Sequence, residues 1–411
     1  RGYLLHGPSW GVWNGRFDLG ACARQLDEGC QLRKGGHLQR QLAEMKKIDP
    51  EFAAEYMKRL AVPNELLGFR AYPRSDFAVQ RRREWYASLK MSSKRLICSE
   101  NTNSENAQGL HLSDGLLLLG RSGMEYEDIQ PLWDWKRLPG TTCSQGVTQL
   151  APPHKNRGGS DFCGVLGDGN AGMAAMIYKR GDLEARKAWF FENDAVICLG
   201  AGIEGTSSGP VYTSIQQASL DEEVVTSKGI LSSSMQLPAG AWVHHNGIGY
   251  LLLNNSQCKI EQVEGNWLSC FPTRGDRRAT GDVFSLWVDH GISPTGKAYA
   301  YMIYPTVKAA DMDQVIKTNP IKILSNTRTL QAIKSEDLVQ AVFYEAGTLN
   351  LDGGKVIEAS SPCLLSLIGR TLTIVDPTQK LSIITVSVNG KKVVLDLPVN
   401  GQAGSQVRIK L

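Results

Sequence analysis

The sequence predicts an α+β chain of more than one domain, a short helical piece followed by a long all-β portion. Apolar residues recur at three- and four-residue spacing between positions 37 and 61 (Leu38, Leu42, Met45, Phe52, Tyr56, Leu60), the period of an amphipathic helix. After Pro63, short β-branched and aromatic runs alternate with Gly, Asn, Asp and Pro, as strands and turns do. Near the end, residues 382–388 and 391–397 flank Asn389-Gly390, and Asn-Gly between two such runs is the preferred type I′ hairpin turn. A chain of 411 residues is too long for one compact core, and two or three domains follow.

Taken in order, residues 1–36 read as irregular. Trp10 and Trp13 in this stretch suit either core packing or stacking against flat sugar faces. The helical region divides at Asp49-Pro50, with Asp49 as a candidate N-cap and Pro50 in the first turn. Residues 63–330 then read as a large antiparallel β-sandwich domain with strands such as 195–199, 249–253, 283–288 and 298–304. Residues 331–411 read as a small C-terminal β-sandwich, with a soft break near 325–335. No run approaches the ~20 apolar residues of a membrane helix, and no charged-then-apolar leader opens the chain.

One stretch concentrates polar chemistry. Ser99-Glu100-Asn101-Thr102-Asn103-Ser104-Glu105-Asn106, running on to His111 and Asp114-Gly115, lies between a strand-like run at 86–91 and the apolar run 116–119. Such a segment is either a functional loop or a buried polar network, because unpaired polar groups are costly to bury. Glu100 and Glu105 as a paired-carboxylate hydrolase site are disfavoured, since a spacing of five puts them on opposite faces of a strand. Gly167-Asp168-Gly169-Asn170-Ala171-Gly172 matches a dinucleotide-binding string but lacks its strand–turn–helix context and reads as a β-turn. His244 and His245, adjacent on a strand, point to opposite faces and make no metal pair. Nine cysteines without a CxxC pair read as buried small hydrophobes.

The net charge of +4 is uneven: residues 1–95 hold 18 Lys+Arg against 10 Asp+Glu, a surplus of +8, and the remainder carries −4. A basic front can concentrate an acidic polymer; no nucleic-acid motif accompanies it.

At residues 126–142, Tyr-Glu-Asp-Ile-Gln-Pro-Leu-Trp-Asp-Trp-Lys-Arg-Leu-Pro-Gly-Thr-Thr, the pattern becomes specific and resembles polysaccharide lyase family eight, which holds the chondroitin AC, chondroitin ABC, hyaluronate and xanthan lyases. Residues 81–93, 100–115 and 187–203 agree with it in the same order, and the compact chondroitin AC-type members fit best. The resemblance implies an α/α toroid followed by β-sandwich domains, with residues 1–62 matching only the end of the toroid. By that comparison, the general base Tyr, a His and a carboxylate-neutralising Asn lie upstream of the stretch that Arg16 matches, so the missing N-terminal toroid segment is a partner of the site.

Two catalytic positions carry over by motif: Arg16, in Gly15-Arg16, and Glu100. Asn103 and Arg24 carry over as substrate-binding residues, with Trp10 and Trp13 as the stacking candidates. Gly20 stands where the family often places a second Arg, which makes Arg24 its candidate substitute. The implied activity is β-elimination at a uronic acid of chondroitin sulfate, with hyaluronan as a second substrate and xanthan as an alternative. A non-catalytic carbohydrate-binding fragment is the reading from another class. The resemblance implies no cofactor, although calcium occurs in some relatives, and its ligands are not assignable here. It further implies a secreted or periplasmic monomer whose partner is an acidic polysaccharide, with no nucleic acid and no membrane.

Overall fold

A computed structural model of the chain describes residues 12–13, 16–17, 37–54, 66–99, 101, 106–147, 149–151 and 156–411. At the front, β1 (Val12–Trp13) and β2 (Arg16–Phe17) form a small antiparallel hairpin, with Trp13 opposite Arg16. The helical signal becomes α1 (His37–Ile48), which carries Lys46 and Lys47 in its last turn, where cations favour the helix dipole. Pro50–Phe52 then makes one 3-10 turn with Pro in its first positions, where its missing N–H costs nothing. Asp49 stands at the cap position without a side-chain capping bond, so proline rather than Asp49 marks this start. The rest of the expected second helix, past residue 54, lies outside the described residues.

The polar stretch proves to be an excursion from one sheet. β3 (Gly68–Tyr72), β4 (Phe77–Arg81) and β5 (Tyr86–Lys90) lie side by side. Residues 91–99 leave β5 and include the short β6 (Ile97–Ser99), and residues 106–115 lead back into β7 (Leu116–Gly120), which pairs with β5 so that Lys90 faces Leu116. Gly115 is required at that return. Its φ is +89°, and a Cβ there would sit 2.8 Å from Trp189 and 2.9 Å from Lys187 Nζ, which only glycine avoids. β8 (Thr142–Ser144) follows, and β9 (Asn156–Arg157) pairs with β6.

A nine-stranded and a five-stranded antiparallel sheet make the central sandwich. The nine-stranded sheet begins with β10 (Cys163–Gly167), β11 (Gly172–Arg180), β12 (Leu183–Phe191) and β13 (Val196–Glu204), then Lys297–Tyr304. The five-stranded sheet ends with Arg278–Ile292, β14 (Pro210–Ser219) and, at its edge, β8. Trp189, Phe191, Cys198 and Tyr301 fill the space against Ile215, Phe284 and Leu286. The opposite face of the same strands (Phe190, Ile197, Met302) packs on Val342, Leu364 and Val375 of the C-terminal part. Both faces are buried, so these strands read as continuous apolar runs without alternation.

A six-stranded and a four-stranded sheet form the C-terminal sandwich around Ile357, Leu365, Ile374 and Val386. Its first strand, Ile321–Asn326, pairs with Leu330–Ser335, so this sheet begins ahead of the expected division at 330. Asn389 (φ +51°) and Gly390 (φ +81°) join Ile383–Val388 to Lys391–Asp396, both in the left-handed region that a type I′ turn needs. The glycine string at 167–172 is the β10–β11 hairpin, where Asp168 Oδ1 accepts the backbone N–H groups of Asn170 and Ala171 at 2.7 and 2.8 Å. His244 meets the Val307 carbonyl while His245 packs on Phe284. The seven described cysteines are free thiols and buried.

Candidate functional site

The strand leading to Glu100 ends on a chain of buried polar contacts. Asn156 Nδ2 donates to Ser99 Oγ at 2.6 Å, and Asn156 Oδ1 accepts from Arg180 Nη1 at 2.9 Å. Arg180, the last residue of β11, then grips Asp114 with two parallel bonds, Nε to Oδ2 and Nη2 to Oδ1, both 2.9 Å. This two-pronged geometry is the strongest that a guanidinium and a carboxylate can make. His111 Nδ1 donates to Asp114 Oδ2 at 2.8 Å, Ser92 Oγ donates to Oδ1 at 3.3 Å, and His111 Nε2 lies 3.2 Å from Cys143 Sγ. Asp114 is fully buried, and its four oxygen contacts satisfy a charge that would otherwise be prohibitive there. The network ties both ends of the excursion, Ser92 and Ser99 near its start and Asp114 at its close, to strands β9 and β11.

Burial alone would raise the Asp114 carboxyl, but the Arg180 guanidinium and the His111 hydrogen bond outweigh it and hold it well below the usual carboxylate range. Burial would likewise lower the His111 imidazole, yet Cys143 and Asp114 push it up to about 9. A second buried cation lies behind: Lys187 Nζ donates to the carbonyls of Gly140 (2.6 Å) and Asp114 (3.3 Å) and sits over the Trp189 ring. Burial lowers it to about 7, against the pull of Asp114.

These two shifts have opposite consequences. The raised His111 contributes stability that is complete below about pH 6.5 and is lost as pH climbs through about 9. The lowered Lys187 releases its proton early in the folded state, so its contribution rises with pH from about 7 to 10.5. Between pH 7 and 9 the two offset each other. In Lys187→Met the rising limb disappears, and stability is expected to fall by on the order of 2 kcal/mol from pH 7 to pH 9, against a much flatter native profile. Urea unfolding at the two pH values checks this, and equal slopes in variant and native chain would refute it.

Of the residues expected to act, Trp10, Arg24, Glu100 and Asn103 lie outside the described residues. Arg16 is described by its backbone, in register with Trp13. Trp13 is held by the protein: its Nε1 donates to the Arg121 carbonyl at 2.9 Å, its ring stacks on Tyr86 at 5.9 Å, and the Arg81 guanidinium lies 5.5 Å from it. Trp13 therefore pegs the hairpin that carries Arg16 onto the sheet that carries the polar excursion. The peg is at the Tyr86 end of β5 and the excursion is rooted at the Lys90 end, about 13 Å apart at ~3.3 Å per residue.

Asn156, Arg180, Cys143 and Lys187 were missed as site residues in the sequence. The available signal was a charged residue running directly into an apolar run, as Lys187 does ahead of Ala188-Trp189-Phe190-Phe191. A pocket of about 350 Å³ opens beside the network, lined by His111, Lys136, Cys143, Tyr178, Arg180 and Asp182 among others. Among the described residues, no group of three or more His, Cys, Asp or Glu side chains is arranged to hold a metal ion. Among them, too, no helix is long and apolar enough to cross a membrane.

Comparison with known proteins places this architecture. Residues 67–316 match the family model described as polysaccharide lyase family 8, super-sandwich domain, and residues 322–385 match its C-terminal beta-sandwich domain. The chain is 30% identical over 399 residues to chondroitinase-AC of Pedobacter heparinus, covering 90% of this chain and 57% of that protein. It is 27% identical over 368 residues to the hyaluronate lyase HylB of Enterococcus faecalis, covering 78% and 35%. A solved structure of chondroitinase AC lyase superposes with a TM-score of 0.89 at 26% identity, covering 99% of this chain and 64% of that one. The chain thus spans between about a third and two thirds of the length of these relatives.

Proposed function

This chain belongs to polysaccharide lyase family 8, and from that premise we propose that its protein cleaves uronic-acid-containing glycosaminoglycans by β-elimination. Chondroitin sulfate is the first substrate and hyaluronan the second. The relatives named chondroitinase-AC and hyaluronate lyase support this choice, as does the basic surplus of the first 95 residues. In this reading, residues 1–62 form the end of an α/α toroid, and the two β domains divide just ahead of Ile321. The protein is a secreted or periplasmic monomer that works without a cofactor.

The chemistry needs a base close to a weakly acidic C5 proton and a neutralised substrate carboxylate. By family resemblance a toroid Tyr removes the proton from C5 and protonates the departing O4, while a toroid Asn faces the carboxylate. Arg16 stabilises the tyrosinate and the leaving oxygen through charged donors. Glu100 orients Arg16 and the toroid His, and Asn103 and Arg24 hold the sugar, with Trp10 available to stack on it. Trp13 positions the Arg16 hairpin.

The observation that carries this reading is the buried chain Ser99–Asn156–Arg180–Asp114, which fixes the strand end from which Glu100 follows. A group that orients a catalytic Arg must itself be held by a rigid frame. The test is the product. Mass spectrometry of oligosaccharides released by the toroid-containing protein should show a non-reducing end lighter by one water than a hydrolysis product. A saturated end would overturn elimination in favour of hydrolysis.

A further inference from the structure

Cys143 lies on β8, the edge strand of its sheet, and is among the residues that line the 350 Å³ pocket. The sulfur is 3.2 Å from His111 Nε2, and His111 Nδ1 donates to Asp114 at 2.8 Å. Nucleophile, base and orienting carboxylate thus stand in line, each within hydrogen-bond reach of the next. That constellation activates cysteine for attack, and it is recognised by geometry rather than by sequence order. Asp114 is in turn held by two bonds from Arg180, so the carboxylate that orients the imidazole is itself fixed. Of the seven described cysteines, Cys143 is the one with a histidine ring in hydrogen-bonding distance. Cys98, Cys198 and Cys258, by contrast, sit in surroundings where burial pushes the thiol up to about 11 or 12. The pocket offers room, and its rim includes Val147, 81% exposed.

We propose that Cys143 is a nucleophilic thiol primed by His111 and Asp114, and that the pocket before it is a covalent modification site for small soft electrophiles, peroxides among them. With an alkyl halide the sulfur forms an S–C bond, the carbon–halogen bond breaks, halide leaves, and the thiol proton stays on His111. With a peroxide the sulfur attacks one oxygen, an S–O bond forms and the O–O bond breaks. Sulfur is oxidised by two electrons to a sulfenic acid, and the departing oxygen takes the His111 proton and leaves as water. This site does not depend on the lyase reading.

The native chain is treated with iodoacetamide at neutral pH, and every cysteine is followed by peptide mapping, which also separates Cys22 and Cys30. Cys143 should be labelled at least as fast as free cysteine, while Cys98, Cys163, Cys198, Cys258, Cys270 and Cys363 stay unlabelled until the chain is unfolded. Brief hydrogen peroxide followed by dimedone should mark Cys143 as a sulfenic acid. His111→Gln should slow labelling by on the order of 100-fold. Labelling of Cys143 only on unfolding, in step with Cys198, would overturn the proposal, as would a folded His111→Gln chain that reacts at the native rate. The comparison with free cysteine decides the question on native protein even if that variant does not fold.

Discussion

Arg16→Ala, in a protein that carries the toroid and both β domains, lowers the turnover of chondroitin by about 10²–10³-fold, the cost of losing one preorganised donor to a developing oxyanion. The loss falls on kcat more than on KM, because a guanidinium that meets charge arising in the transition state adds little to the binding of the resting substrate. The fold should survive. The hairpin bearing Arg16 is pegged by Trp13, whose ring stacks on Tyr86 and whose Nε1 reaches the Arg121 carbonyl, and neither contact involves the Arg16 side chain. Glu100→Gln, which keeps shape and removes charge, should act in the same direction. Steady-state kinetics beside a circular-dichroism melt separates lost chemistry from lost structure. Near-normal turnover in either variant would remove Arg16 and Glu100 from the mechanism.

Arg180→Met destabilises the chain by about 3–5 kcal/mol, the cost of breaking a buried ion pair and leaving one partner uncompensated. The stranded partner is Asp114, fully buried, which then keeps only His111 and Ser92. The same change removes the partner of Asn156 Oδ1 and so weakens the hold on the side chain that binds Ser99, next to Glu100. Acid should act on the same contact. The depressed Asp114 carboxyl contributes stability that is present above its unfolded pKa of about 3.9 and is lost as pH falls further, so Arg180→Met should flatten the acid limb of the unfolding curve. Urea unfolding at pH 7 and at pH 3 measures both effects. A cost below about 1 kcal/mol, the range of an exposed ion pair, would mean that the pair does not hold the excursion.

The parts of the fold that follow from local rules were legible in the sequence. The strand-like runs at 86–91 and 116–119 became β5 and β7, and the polar stretch between them proved to be a tethered excursion from one sheet. Asn389-Gly390 gave its hairpin, and Asp168 made a turn of a string that matches a nucleotide-binding motif. Strand limits were less legible. Residues 195–199 were the visible part of Val196–Glu204, where burial on both faces erases the two-residue period that marks an end. Residues 283–288 were the buried middle of Arg278–Ile292, whose polar, exposed ends carry no apolar pattern. The site network was hidden for a different reason. Arg180 is 66 residues from Asp114, and Asn156 is 57 from Ser99; a bond between a loop and a distant strand leaves no period in either segment. Only the family resemblance pointed to Arg16 and Glu100, and it gave no sign of the frame behind Glu100 or of the Trp13 peg.

The most direct measurement is ultraviolet absorbance of chondroitin sulfate and hyaluronan, incubated with this chain alone and with the toroid supplied. Elimination creates a conjugated C4–C5 double bond that hydrolysis does not. A rise only when the toroid is present, abolished by Arg16→Ala or Glu100→Gln, is the result that a site divided between toroid and β-sandwich predicts. A rise with the chain alone would contradict it by revealing a base within these 411 residues. No rise in either case, with polysaccharide binding retained, would contradict it in favour of a carbohydrate-binding role.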